Sequence, residues 1–199
     1  MQTIGIFGGT FDPPHLGHLI LAAEARAQLG LERLLWVLTP DPPHKKGQSI
    51  TSLEHRLAML KLALLGDVQF ELSAIELNRP GPHYALDTVQ ILARENPGAR
   101  LVYLMGGDSL RDLPTWHRPA DFVSACSLIG VIRRPGGALD LVSLEKSLPG
   151  LRSKVRFVEA PLIDITAHEI RARVSRGRPF RYFLPPDVYT YIMEHKLYR

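Results

Sequence analysis

Gly8-Gly9-Thr10-Phe11-Asp12-Pro13-Pro14-His15-Leu16-Gly17-His18 is the stretch on which the fold of this chain turns. An apolar run with Ile4, Ile6 and Phe7 precedes it, and Leu16, Leu19, Ile20, Ala23 and Ala27 recur after it at helical spacing. Strand, tight loop and helix in that order open an α/β sheet. The two glycines let backbone amides come close to an anion, and a helix start adds its dipole. Two histidines three residues apart share one face of that helix. This is equipment for holding a polyphosphate.

Outward from this loop the pattern repeats. Apolar runs of strand length fall at 3–7, 34–39, 68–72, 101–105, 128–132 and 155–158. Between them, Leu53, Leu57, Leu60 and Leu64 form a helical stripe behind a capping box of Thr51 and Glu54. Residues 84–94 read as another helix, closed by Asn96-Pro97-Gly98. Strands that are apolar on both faces and alternate with helices predict a parallel, doubly wound α/β sheet. Residues 1–199 are expected to form one domain, with 179–199 as a small C-terminal helical appendage.

Composition sets the outer bounds. The chain is 45% hydrophobic and 22% charged, as expected of a folded soluble protein. No stretch reads as a membrane span or a secretory leader, and the one cysteine, Cys126, cannot form an intramolecular disulfide. Cytoplasm is the expected location. Residues 1–100 carry nine Lys/Arg against ten Asp/Glu, and residues 101–199 fifteen against ten. Arg171, Arg173, Arg176, Arg178 and Arg181 concentrate the excess, which suits an anionic partner or a solvated helix face.

In sheets of this kind ligands sit beyond the carboxyl ends of the strands. The polar clusters all follow predicted strands: the Gly8–His18 loop, Pro43-His44-Lys45-Lys46, Gly106-Gly107-Asp108, Arg133-Arg134, and Thr166 to Arg171. Neither the G-x-G-x-x-G spacing nor the G-x-x-x-x-G-K-[ST] loop occurs. Lys45, Arg134 and Arg171 suit phosphate neutralisation, or are solvated charges. Asp108 has two readings, a ribose acceptor or the N-cap of a helix over 109–113. Trp116 either stacks on a flat heterocycle or covers the core. Zinc held by His15, His18 and His44 is the competing chemistry, weakened by the lack of a carboxylate or cysteine at ligand spacing. Cys126 lies in an apolar segment without a neighbouring histidine and reads as buried filler.

The Gly8–His18 segment closely resembles the signature of nucleotidylyltransferases with the T/HxGH motif. Pro43-His44-Lys45, Gly107-Asp108 with Pro114-Thr115-Trp116, Arg133-Arg134-Pro135 and Ile165–Arg171 narrow the resemblance to bacterial nicotinate-nucleotide adenylyltransferases. The ending from Tyr182 to Val188, then Tyr191-Ile192 and Leu197-Tyr198, is similar to that family's C-terminus. The resemblance covers essentially the whole chain. It implies a Rossmann-like nucleotidylyltransferase fold and adenylyl transfer from ATP to nicotinate mononucleotide, with Mg²⁺ carried by ATP rather than by protein side chains.

Residue by residue, the resemblance implies that His15, His18 and Lys45 are catalytic. It assigns ATP to Gly8, Gly9, Thr10, Phe11, Gly106, Asp108, Thr166 and Arg171. Nicotinate mononucleotide falls to Lys45, Tyr84, Thr88, Trp116 and Arg134. Neither a nucleic acid nor a membrane is an expected partner.

The chain departs from the family pattern at two places. His83-Tyr84-Ala85 stands where the family commonly has Ser-Tyr-Thr, which removes a hydroxyl near the pyridine substrate. Ala167 and His168 replace a serine and a threonine at the ATP end. The rival readings are a sister adenylyltransferase using nicotinamide mononucleotide or phosphopantetheine, a nucleotide sensor on the same scaffold, and an RNA binder using the arginines of 171–181. The last lacks the aromatic-interleaved basic motifs of such modules.

Overall fold

The computed structural model describes residues 1–42, 49–132, 139–161 and 164–199. The apolar runs become strands β1 (Thr3–Gly9), β2 (Arg33–Leu38), β3 (Phe70–Ser73), β4 (Arg100–Gly106), β5 (Leu128–Ile132) and β6 (Val155–Val158). They pair in parallel in the order β3-β2-β1-β4-β5-β6, with Ile6 opposite Leu35 on one side and Tyr103 on the other. The chain therefore winds outward from β1 to β3, returns to the centre at β4, and winds out the other way. In sheets of this kind a ligand crevice opens at such a reversal, which here falls between the ends of β1 and β4.

Alternate side chains of the strands feed two cores on opposite faces of the sheet, as the pleat requires. Leu35 and Val37 of β2 join one core with α3 (Ala85–Glu95), α4 (Gly107–Asp112), α5 (Pro119–Ala125), α6 (Leu141–Ser147) and α7 (Leu151–Lys154). Leu34, Trp36 and Leu38 join the other, with Ala22 and Ala25 of α1 (Leu16–Leu29) and Leu60 and Leu64 of α2 (Leu53–Leu64). Burying each large aliphatic side chain contributes about 1.5–3 kcal/mol, so both faces hold the sheet. The expected doubly wound α/β architecture is present.

A third cluster joins Met59 of α2 to Ile170 of α8 (Ala167–Ser175) and to Val188 and Ile192 of α9 (Pro186–Glu194). Residues 179–199 are thereby packed against the back of α2. Elsewhere Lys154 Nζ donates to the carbonyls of Val123, Ser124 and Cys126, placing a cation on the C-terminal end of α5. Burial pushes the Cys126 thiol up to about 12, which leaves it inert packing.

The expected start of α2 is corrected. Its N-cap is Ser52, with no side-chain cap, and Thr51 makes no capping box. The backbone of Thr51 has partners elsewhere: its N–H donates to Asp12 Oδ2 at 3.1 Å and its carbonyl accepts from Arg56 Nε at 2.9 Å. The predicted stripe also shifts at this end, where Leu53 is exposed and Arg56 is buried. Tertiary hydrogen bonds displace the local motif.

Candidate active site

His15 is the N-cap of α1 and His18 is its N3 residue. The N–H of His18 donates to His15 Nδ1 at 3.3 Å, and the N–H of His15 donates to His18 Nδ1 at 3.2 Å. The rings stack with centroids 3.6 Å apart. Imidazoles thus perform the reciprocal bonding of a capping box. An Nδ1 that accepts carries no proton, so each neutral ring is the Nε2–H tautomer with its donor on the far edge. Gly17 permits the stack, because a Cβ there would lie 3.0 Å from His15 Nδ1.

Phe11 takes a left-handed backbone, φ 45°, and lays its ring over Gly9, where a Cβ would meet it at 2.8 Å. The ring packs among Phe7, Trp36 and His18 and is buried, part of the core on that face of the sheet.

Two buried charges brace this loop. Arg56 donates to the carbonyls of Thr10, Thr39, Pro40 and Thr51, joining the ends of β1 and β2 to the head of α2. Burial pulls its pKa down, opposed by Asp12 and Asp41. Asp12 accepts from the Thr51 N–H, and its Oδ1 accepts the Tyr198 hydroxyl at 2.7 Å. Arg171 Nη1 donates to the Asp12 carbonyl at 2.7 Å. The guanidinium expected at ATP is therefore anchored to the signature loop itself.

Across the crevice, Gly106 is the N-cap of α4 and Asp108 lies in its first turn, paired with Arg111 at 3.1 Å. The N-cap reading of Asp108 is corrected, since the helix begins two residues earlier than expected. Trp116 is half-buried, tilted on Phe122 and edge-on to Tyr103. Tyr84 stacks on His117 with centroids 4.1 Å apart. Thr88 is buried and donates to Glu76, while Arg79 reaches Pro82 O and Tyr84 O and tacks down the 79–84 loop. Burial raises the Glu76 pKa, opposed by the hydroxyls of Thr88 and Thr39 and by Arg79. Its Oε2 has no hydrogen-bond partner among the described residues.

Thr166 caps α8, its hydroxyl accepting the Glu169 N–H at 3.1 Å, and His168 is exposed on that first turn. Of the arginine run, Arg173 pairs with Glu169 at 2.9 Å and lies over Phe183, whereas Arg176 and Arg178 are exposed. His44, Lys45, Arg133 and Arg134 lie outside the described residues.

The structure thus gathers the signature loop, Gly106, Asp108, Thr166 and Arg171 at the carboxyl edge of the sheet. Tyr84 and Trp116 stand at the α3 and α5 side of that edge. Sequence reasoning gave no individual role to Asp12, Arg56, Glu76, Tyr103 or Tyr198. A signal existed for Arg56, an arginine inside an apolar helical stripe; nothing local marked Glu76. The donor set at the loop consists of backbone amides and imidazole N–H groups, which suit anions. Among the described residues no group of three or more His, Cys, Asp or Glu is placed to hold a metal ion. No helix among them is long and apolar enough to cross a membrane.

Residues 6–173 match the cytidylyltransferase-like family. Over its full length the chain is 49% identical to a Thermomicrobium roseum protein named "Probable nicotinate-nucleotide adenylyltransferase", covering 92% of that relative. A Roseiflexus sp. protein of the same name is 43% identical over 98% of both chains. The fold is similar to that of a nicotinic acid mononucleotide adenylyltransferase of Plasmodium falciparum complexed with NaAD. The TM-score is 0.83 at 18% identity, covering 100% of this chain and 98% of that one. With the signature loop, the strand order and end-to-end relatives in agreement, the chain belongs to the nicotinate-nucleotide adenylyltransferases of the cytidylyltransferase-like family.

Proposed function

We propose that this protein transfers the adenylyl group of ATP to nicotinate mononucleotide. An oxygen of the mononucleotide 5′-phosphate attacks the α-phosphorus in line. The bond from that phosphorus to the bridging oxygen of the β-phosphate breaks, and pyrophosphate leaves. The product is nicotinate adenine dinucleotide. No covalent enzyme intermediate is required, in keeping with the inert Cys126. Catalysis then rests on positioning and on charge stabilisation.

The observation that carries this reading is the stacked His15–His18 pair, which puts two Nε2–H donors at the head of α1. Donors held there meet charge that grows on the α-phosphoryl oxygens without having to reorganise. In this reading Gly8, Gly9 and Thr10 seat the phosphates, Phe11 supplies backbone only, and Arg171 and Thr166 face the triphosphate. Asp108 and Gly106 border the adenosine, while Trp116 and Tyr84 flank the pyridine ring. Thr88 acts behind them through Glu76. Lys45 and Arg134 are assigned to phosphates on their sequence motifs alone.

Mg²⁺ would arrive on the triphosphate and supply neutralisation of the leaving pyrophosphate. An anion-directed donor set fits a metal that enters in this way. The cytoplasm, where ATP and a reduced Cys126 coexist, is the proposed location.

The test is a steady-state comparison of nicotinate mononucleotide, nicotinamide mononucleotide and phosphopantetheine with Mg-ATP, following pyrophosphate release. The expected result is a clear preference in kcat/KM for nicotinate mononucleotide. Turnover confined to another acceptor overturns the reading.

A further inference from the structure

We propose that Tyr198, the penultimate residue, is a positioning residue for adenylyl transfer, holding the signature loop in register by a hydrogen bond to the buried Asp12 carboxylate. The role in turnover rests on the adenylyl-transfer reading; the geometric part does not.

Three distant segments converge on Asp12. Tyr198 Oη donates to Oδ1 at 2.7 Å, the Thr51 N–H donates to Oδ2 at 3.1 Å, and Arg171 Nη1 donates to the carbonyl at 2.7 Å. Asp12 is only 5% exposed, so losing one of these bonds is not made good by bulk water. Downstream, Pro13 and Pro14 fix two φ angles, leaving little slack between Asp12 and the His15 N-cap. A shift of the carboxylate is therefore passed to the imidazole pair on one side and to Arg171 on the other.

The tail is built for this contact. Lys196 and Tyr198 both adopt left-handed backbone, φ 51° and 64°, a conformation that non-glycine residues seldom take. The Leu197 N–H returns to the Ile192 carbonyl, and the turn brings the phenol under the loop. Burial and the Asp12 charge push the Tyr198 pKa far above the usual phenol range, so the hydroxyl remains a donor. Ring packing alone does not call for that hydroxyl, because phenylalanine would fill the same place beside Met59 and Ile192.

Tyr198→Phe isolates the hydroxyl. Tyr191→Phe is the control, since it removes a hydrogen bond to His55 at 2.9 Å from the same helix end and touches nothing in the loop. Kinetics are measured with nicotinate mononucleotide and Mg-ATP. The His15 and His18 ring signals are followed by nitrogen-15 NMR in the absence of substrate, and Asp12→Asn is measured beside them as a second way to disturb the bond.

For Tyr198→Phe and Asp12→Asn, kcat is expected to fall about tenfold with KM for the mononucleotide unchanged. Both histidine signals move, and Tyr191→Phe matches wild type. Wild-type kcat in Tyr198→Phe, unmoved histidine signals, or an equal loss in Tyr191→Phe each overturns the proposal. If wild type does not adenylylate nicotinate mononucleotide, the functional reading fails by itself; the NMR comparison still decides whether Tyr198 sets the loop.

Discussion

His15 and His18 each accept the other's backbone N–H through Nδ1, at 3.3 and 3.2 Å, so one pair of rings caps α1 while each neutral ring keeps its proton on Nε2. The two tasks use different nitrogens and are separable. Asparagine at 18 can place Oδ1 near the Nδ1 position but has nothing at Nε2; glutamine does the reverse. His18→Asn is expected to lose about 10²–10³ in kcat, the usual cost of removing one transition-state donor, with ATP binding retained. His18→Gln should keep more activity and lose about 1 kcal/mol of stability, the worth of a cap. Turnover near wild type in His18→Asn removes His18 from the chemistry.

The strands were legible because a buried parallel sheet demands uninterrupted apolar runs, and each of the six predicted runs overlaps a strand. The histidine pair was legible because its spacing coincides with the start of a helix. The bracing behind it was not. Asp12 meets Tyr198 across 186 residues and Arg171 across 159, and no local pattern encodes such a distance. The failed capping box at Thr51 has the same origin, since the motif was present and a long-range partner took its backbone N–H. The packing of Phe11 on Phe7 and Trp36 was not legible either, because those partners come from β1 and β2 rather than from the loop.

Arg56 tests whether that bracing is structural. Four carbonyls, of Thr10, Thr39, Pro40 and Thr51, accept from this buried guanidinium. Methionine at 56 retains much of the stem and leaves those acceptors with poor access to water. Arg56→Met is expected to lose about 1.5–3 kcal/mol in urea unfolding, the range for hydrogen bonds made by a charged group. A loss below about 1 kcal/mol means that water replaces the guanidinium at little cost.

Trp116 lies between packing and recognition, half-buried against Phe122 with Tyr103 at its edge. If its outer face carries the pyridine ring, Trp116→Leu raises KM for nicotinate mononucleotide by about tenfold, one stacking interaction, and leaves KM for ATP unchanged. Some stability is lost as well, about 1–3 kcal/mol for a shrunken aromatic. Equal changes in both KM values assign the residue to the core alone.

Glu76 gives the chain a pH dependence with a defined sign. Burial raises its folded-state pKa above the ordinary carboxylate value of 4.5, and Oε2 is without a hydrogen bond among the described residues. In the unfolded chain the group ionises near that ordinary value. The folded state, which favours the protonated acid, therefore loses stability relative to the unfolded chain as pH rises from 4.5 through the raised pKa. Arg79 at 4.0 Å and the hydroxyls of Thr88 and Thr39 oppose this without reversing it. Glu76→Gln keeps the Thr88 contact and does not titrate. Urea midpoints of the two proteins, compared at intervals from below pH 4.5 to neutrality, should show wild type losing ground to Glu76→Gln as pH increases. A gap constant with pH shows instead a carboxyl unshifted by folding, and one that moves in favour of wild type shows that Arg79 and the hydroxyls hold Glu76 ionised in the fold.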